Sequence, residues 1–210
     1  AIVQVSSALA HRAIPLQSAY CACQHAVKGF TLSLRTELLH DGSSVSITMV
    51  DLPALNTPQF EWSRSKMPRR PQPVPPIFQP EVAAEAIVHA ALHPRRRMLV
   101  AWPTVKAVFG EKIAPAIADW YLARTGFDSQ QTDETAPPRR RDNLYGPVPG
   151  DHGARGRFDE RSKGTSALLW MSLHRGALAL GLAALGLATG AFALRPRRAG
   201  LVRRLARALG

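Results

Sequence analysis

Ser18-Ala19-Tyr20-Cys21-Ala22-Cys23-Gln24-His25-Ala26-Val27-Lys28-Gly29-Phe30 decides how this chain folds, read together with the Ser6-Ser7 pair upstream of it. Residues 1 to 6 form an apolar run that predicts a buried strand delivering Ser6 and Ser7 at its carboxyl end. From Ser18 to His40, Val27, Phe30, Leu34 and Leu38 recur at steps of three and four, the mark of an amphipathic helix, which Asp41-Gly42 closes. Val45 to Val50 is the next strand, on its β-branched content and the glycine turn before it. Strand, helix, strand in this order predicts a parallel crossover. The fold class is therefore α/β with a parallel sheet, of the kind that places its ligands at the carboxyl ends of its strands.

Working outward, residues 53 to 80 carry eight prolines and predict a long loop. Pro80-Glu81 opens a helix with Val82, Ala86, Ile87 and Ala90 on one face, Met98 to Trp102 reads as a third strand, and Thr104 to Thr125 has helical character despite Pro115. These elements make residues 1–125 one domain. Residues 126–165 are polar and rich in Pro, Gly, Arg and Asp, the composition of a flexible linker. Gly176 to Leu194 is uncharged and just long enough to span a bilayer core, so 166–194 is expected to be a hydrophobic, membrane-associated helix followed by a basic tail, 195–210. The strand at residue 1 would lack sheet neighbours and no initiator Met precedes it, so the sequence is expected to be the carboxyl-terminal part of a longer protein.

The formal charge of +12 raises nucleic acid or anionic lipid as partners. Arg69-Arg70, Arg95 to Arg97 and Arg139 to Arg141 fall in or beside loops and are expected to be solvated; no aromatics interleave the arginines, which argues against nucleic acid. Cys21 and Cys23, two apart on a helix, point to different faces and suit packing rather than a shared metal. His89 and His93 have the spacing of a metal pair but lack a neighbouring Glu and a third ligand, so no metal is expected.

A phenol at the start of a helix and a hydroxyl at the end of the preceding strand together form a site for proton transfer to a carbonyl oxygen. Ser7 lies thirteen residues before Tyr20, and this spacing, with the strand at 45–50, Asn56-Thr57 and the helix opening Pro80-Glu81-Val82, resembles the second half of the short-chain dehydrogenase/reductase family. The resemblance covers residues 1 to about 102. It implies a doubly wound, Rossmann-like sheet and NAD or NADP as cofactor, with Tyr20 as acid/base and Ser7 as the hydroxyl that orients the substrate carbonyl. Where the family has Lys, four after Tyr, this chain has Gln24. An ordinary tyrosine titrates near pH 10, and a neighbouring ammonium normally brings it down. Gln24 supplies no such charge, but its amide can bond a ribose hydroxyl or hold a water. Lys28, two turns beyond Tyr20 and about 12 Å along the axis, is read as surface.

After the second strand the family has a Pro-Gly pair, then Val and Thr positions that touch the nicotinamide end; Leu55 and Thr57 fit those positions, while Leu52-Pro53 replace the pair. The glycine-rich phosphate loop and the residues that choose NAD or NADP belong to the first strand–helix unit of such folds, which is not in this sequence. Phe60, Trp62, Met67, Ile77 and Phe78 lie in the loop that covers substrate in the family, suggesting a lipophilic alcohol or carbonyl; packing of a long loop explains them equally well.

The leading expectation is thus a membrane-associated oxidoreductase interconverting an alcohol and a carbonyl, its catalytic domain on the cytoplasmic side and homo-oligomers compatible with it. The rival is a non-catalytic relative, a membrane-associated binding or scaffold module. Residues 195–210 on the cytoplasmic face would conflict with a cytoplasmic catalytic domain if 176–194 spanned; a helix lying in the interface resolves that conflict.

Overall fold

The computed structural model describes residues 1–137 and 140–193, with side chains through residue 190. It divides into two compact units, Ala1–Leu173 and a second that begins at His174. The elements follow as β1 (Ile2–Ser7), a 3-10 turn at Ala8–Ala10, α1 (Ser18–His40), β2 (Ile47–Leu52), α2 (Gln59–Trp62), β3 (Arg69–Pro71), β4 (Ile77–Phe78), α3 (Pro80–Leu92), β5 (Arg97–Leu99), α4 (Trp102–Ile113), α5 (Pro115–Thr125), β6 (Gln131–Thr135), β7 (Ser162–Lys163), α6 (Ala167–Leu173) and α7 (Arg175–Ala193). Further 3-10 turns lie at Asp128–Gln130 and Asp159–Arg161.

The sheet has the order β1-β2-β5 and all pairs are parallel, with register from Ile2↔Ile47 to Ser7↔Leu52 and from Met49↔Arg97 to Asp51↔Leu99. β2 is central, and residues 47 to 51 are all buried, as expected for a parallel strand covered on both faces. On one face Val50, Met98 and Val100 pack against Val82, Ala86 and Ala90 of α3, with Phe78 and Leu169. Alanines at 83, 86 and 90 let α3 approach the sheet closely, and each large side chain fully buried there contributes about 1.5–3 kcal/mol. Side chains alternate along a strand, so Asp51 points to the opposite face from Val50.

α1 ends as its sequence predicts. Gly42 has φ +62°, the Ser43 amide donates to the Leu38 carbonyl and the Gly42 amide to the Leu39 carbonyl, which together satisfy the last turn in a Schellman arrangement. The remaining expectations need adjustment at their edges. The second strand runs 47–52 rather than 45–50, because Val45 is held by the Ser43 hydroxyl in the turn. The third ends at Leu99, and Trp102 already opens α4. The helix expected over 104–125 is two helices, broken at Ala114 (φ −145°, ψ 61°), since the residue before a proline is pushed out of the helical region.

Residues 126–165, whose composition suggests a linker, run back along the domain. β6 pairs antiparallel with β3 and β7 parallel with β4. Most of the anchoring is polar, which is why no apolar period reveals it: the Gln130 amide donates to the carbonyls of Gly126 and Pro15, and the Ser166 hydroxyl donates to Val100 O at 2.6 Å. The apolar lid residues are occupied by the same segment. Phe60 meets Phe158 edge-on at 6.1 Å, Trp62 lies 4.2 Å from the His152 ring, and Ile77 and Phe78 are core.

The second unit contributes α7, on which Leu180, Leu182, Leu185 and Leu187 are exposed. No single helix among the described residues is long and apolar enough to cross a membrane; only Ala167–Leu173 and Arg175–Gly190 taken together meet that length and composition. Leu194 and the basic tail 195–210, like Arg139, lie outside the described residues.

Candidate functional site

β1 ends at Ser7, α1 begins at Ser18 and β2 ends at Leu52, so the β1–α1–β2 crossover brings Ser7, the first turns of α1 and the 53–57 segment to one edge of the sheet. Tyr20 lies in the first turn of α1, 46% exposed. The Ser7 hydroxyl accepts from the Leu9 amide at 3.2 Å, capping the 3-10 turn. This is the strand-end role that such a serine fills by default, and it leaves the hydroxyl proton free to be donated elsewhere. Gln24 follows Tyr20 by one turn and is partly buried; its side-chain oxygen is buried and has no hydrogen-bond partner among the described residues. No hydrogen bond joins Ser7, Tyr20 and Gln24 to one another among the described residues.

An orphaned buried acceptor costs about 1–3 kcal/mol unless something donates to it. A ribose hydroxyl is such a donor, so Gln24 fits one end of a nicotinamide cofactor. At the other end, Leu55 bridges to Phe78, the Phe78 amide donates to Ala54 O and the Asn56 amide to Phe78 O, which fix the course of the chain after Pro53 without the family's glycine. Asn56 is fully buried at the centre of a side-chain network. Its amide donates to Gln79 Oε1 at 3.1 Å and Asp159 Oδ1 at 2.9 Å, and it accepts from the Phe158 amide at 3.1 Å. Gly156 lies so close that a Cβ there would be 2.6 Å from Thr57 O. Asn56, between Leu55 and Thr57, is thus held by residues of the 126–165 segment, a support with no periodic trace in the sequence.

A buried charge cluster lies below this edge. Asp51, 0% exposed, accepts from Arg97 Nε at 2.6 Å and is 3.3 Å from His11 Nε2. Burial pushes the Asp51 carboxyl up, but the hydrogen bonds from His11 and Arg97 outweigh it and leave the group below the ordinary carboxylate range. Lys28 belongs to these surroundings and is partly buried rather than free surface. Desolvation lowers its pKa, nearby Arg97 and Lys112 lower it further, and Asp51 opposes them. Arg97 is therefore not solvated as its arginine run suggests. The available signal was Asp51 itself, a carboxylate at the end of an otherwise apolar strand. His89 and His93 stack at 4.4 Å, and Arg95 lies within hydrogen-bond distance of His89.

A cavity of about 440 Å³ opens beside the start of α1, lined by His11, Arg12, Ile14, Pro15, His25 and Phe127 among others; Tyr20 and Gln24 do not line it.

A parallel α/β sheet with a serine and a tyrosine at its carboxyl edge is the frame of a dehydrogenase-type fold, and comparison with known proteins agrees. Residues 1–68 match the family described as short chain dehydrogenase. Over 146 residues, 69% of the chain, it is 30% identical to a Bacillus subtilis (strain 168) protein named Uncharacterized oxidoreductase YxnA. Over 124 residues, 59% of the chain, it is 31% identical to the Hydroxysteroid 11-beta-dehydrogenase 1-like protein of Xenopus tropicalis. The similarity to the short-chain dehydrogenase/reductase family is thus carried by residues 1–68, and similarity to oxidoreductase-named proteins extends beyond them. These alignments cover 41% of the length of each of the two relatives. No solved structure matches the chain significantly.

Proposed function

We propose that this chain supplies the proton-transfer end of an NAD(P)-dependent oxidoreductase that interconverts an alcohol and a carbonyl. The observation that carries the reading is the placement of Tyr20 and Ser7 at the carboxyl edge of a parallel sheet, with the orphaned Gln24 oxygen one turn below. The bound nicotinamide supplies or accepts the hydride. In reduction Tyr20 gives its phenolic proton to the carbonyl oxygen as negative charge develops there, and the Ser7 hydroxyl donates a second hydrogen bond to the same oxygen. In oxidation Tyr20 takes the alcohol proton, and Ser7 keeps the oxygen oriented. Gln24 accepts from a ribose hydroxyl, while Leu55 and Thr57 hold the nicotinamide end. The hydroxysteroid dehydrogenase-like relative supports an apolar alcohol or ketone as substrate, and the uncharged helix from residue 176 supports residence at a membrane.

Activity of the full-length protein toward a panel of apolar alcohols, with NAD and with NADP, tests this. Tyr20→Phe is expected to cost about 10²–10⁴-fold in rate; an unchanged rate refutes the assignment. Gln24 favours a second reading, a non-catalytic relative that keeps the fold as a membrane-associated binding module, because the cation that would activate the phenol is missing. Cofactor binding with no turnover of any alcohol or ketone in the panel would establish it.

A further inference from the structure

We propose that α4 and α5 form a docking face for an anionic phospholipid surface, separate from the uncharged helix beyond residue 175. Two successive helices here leave their large apolar side chains in solvent. Trp102, Phe109 and Ile113 recur at steps of seven and four along α4, so they share one stripe; Thr104 and Val108 are buried on the other side. On α5, Ile117, Trp120 and Tyr121 share a stripe in the same way, and no residue of α5 is buried. Ile113 is 77% exposed and Ile117 68%, on either side of the break at Ala114. Exposed apolar surface of this kind marks an interaction site, and tryptophan and tyrosine are the side chains that settle where hydrocarbon meets headgroups.

Charge selects the occupant. Lys106 falls on the α4 stripe, one turn from Trp102, and Arg124 falls on the α5 stripe, its guanidinium 3.9 Å from the Trp120 ring centroid. The acidic residues of the two helices are Glu111 and Asp119, and both are drawn to Arg12, which bonds one with each arm of its guanidinium. Arg12 offsets one of the two carboxylates, and Lys106, Lys112 and Arg124 outweigh the other, so the stripes offer basic groups beside apolar ones on a face of net positive charge. That is the pattern of a helix lying in the interface, apolar side chains among the acyl chains and cations on anionic headgroups. A second copy of this chain would meet the same cations with cations of its own.

Tryptophan emission of the full chain, measured with vesicles carrying brominated acyl chains, tests this face directly. The vesicles are phosphatidylcholine alone or mixed with phosphatidylserine. Whatever quenching the helix beyond residue 175 brings with both vesicle types, the part that Trp120→Phe removes is expected with the mixed vesicles and not with the neutral ones. Ile113→Glu with Ile117→Glu should abolish the quenching of Trp120; both positions are exposed, and an unchanged denaturation midpoint checks that the variant is folded. Lys106→Gln and Arg124→Gln should each weaken partitioning about fivefold. Equal quenching of Trp120 in both vesicle types, quenching undiminished by Trp120→Phe or by the paired glutamates, or a dimer without lipid that the glutamates dissociate would each overturn the proposal.

Discussion

Replacing Arg97 by Met leaves the Asp51 carboxylate in the sheet with His11 as its remaining ionisable hydrogen-bond partner, and the cost can be worked from the geometry. Asp51 is fully buried, whereas the Arg97 side chain is 28% exposed, so the two partners do not suffer equally when the pair is broken. An uncompensated buried carboxylate costs about 3–5 kcal/mol. His11 keeps its contact with the carboxylate, 3.3 Å away, which places Arg97→Met near the lower end, about 3 kcal/mol. Asp51→Asn leaves Arg97 free to turn toward water and should cost less, about 1–3 kcal/mol. The double variant, with neither charge, should be more stable than Arg97→Met alone. Denaturant unfolding of all four proteins at neutral pH closes the cycle. The pH dependence follows from the depressed Asp51 pKa: the stabilisation is complete above the unfolded-state value of about 3.9 and is lost as pH falls through the lower folded value. A cost of Arg97→Met below about 0.5 kcal/mol, or additive single effects, would refute the reasoning.

Two further substitutions probe how residues 126–173 join the domain. Gly156→Ala drives a Cβ to within 2.6 Å of Thr57 O and 2.8 Å of Asn56 Oδ1, and is expected to destabilise by about 1–3 kcal/mol in denaturant unfolding. Leu169→Ala empties a site packed against Met98 and Val100 and should cost about 2–5 kcal/mol by the same measurement; no loss would show that α6 is not part of the core.

What the sequence disclosed depended on whether a contact leaves a period behind it. The β1–α1–β2 unit does. Its strands are apolar runs, and Asp41-Gly42 mark the end of α1 to the residue. The helix was legible as well: Val27, Leu34 and Leu38 are partly buried on the side of buried Thr31, while Phe30, which the same recurrence put with them, is exposed. That Ser7 ends a strand and Tyr20 lies in the first turn of the following helix was legible too, from the apolar run before one and the recurrence after the other. The Asn56–Gln79–Asp159 network was not. It joins residues far apart in sequence through single hydrogen bonds, and polar residues in a proline-rich loop and a polar segment look like solvated chain. Arg97 was hidden similarly, one of three consecutive arginines, distinguished only by the carboxylate it meets.

The central claim is that Tyr20 transfers the proton and that Gln24, lacking a charge, limits it. The most direct measurement is kcat/KM against pH for alcohol oxidation by the full-length protein, Gln24→Lys and Tyr20→Phe. An ammonium placed one turn from the phenol, within about 4–6 Å, favours the phenolate by one pKa unit or more, each unit being worth roughly 1.4 kcal/mol. Gln24→Lys is therefore expected to raise oxidation about tenfold or more near neutral pH. The gain should shrink as pH rises toward the range where a tyrosine ionises unaided, and carbonyl reduction, which needs the neutral phenol, should gain less. Tyr20→Phe should lose about 10²–10⁴-fold throughout. Fast oxidation by the unaltered protein at neutral pH with no gain from Gln24→Lys, or a Tyr20→Phe variant as active as its parent, would contradict the account.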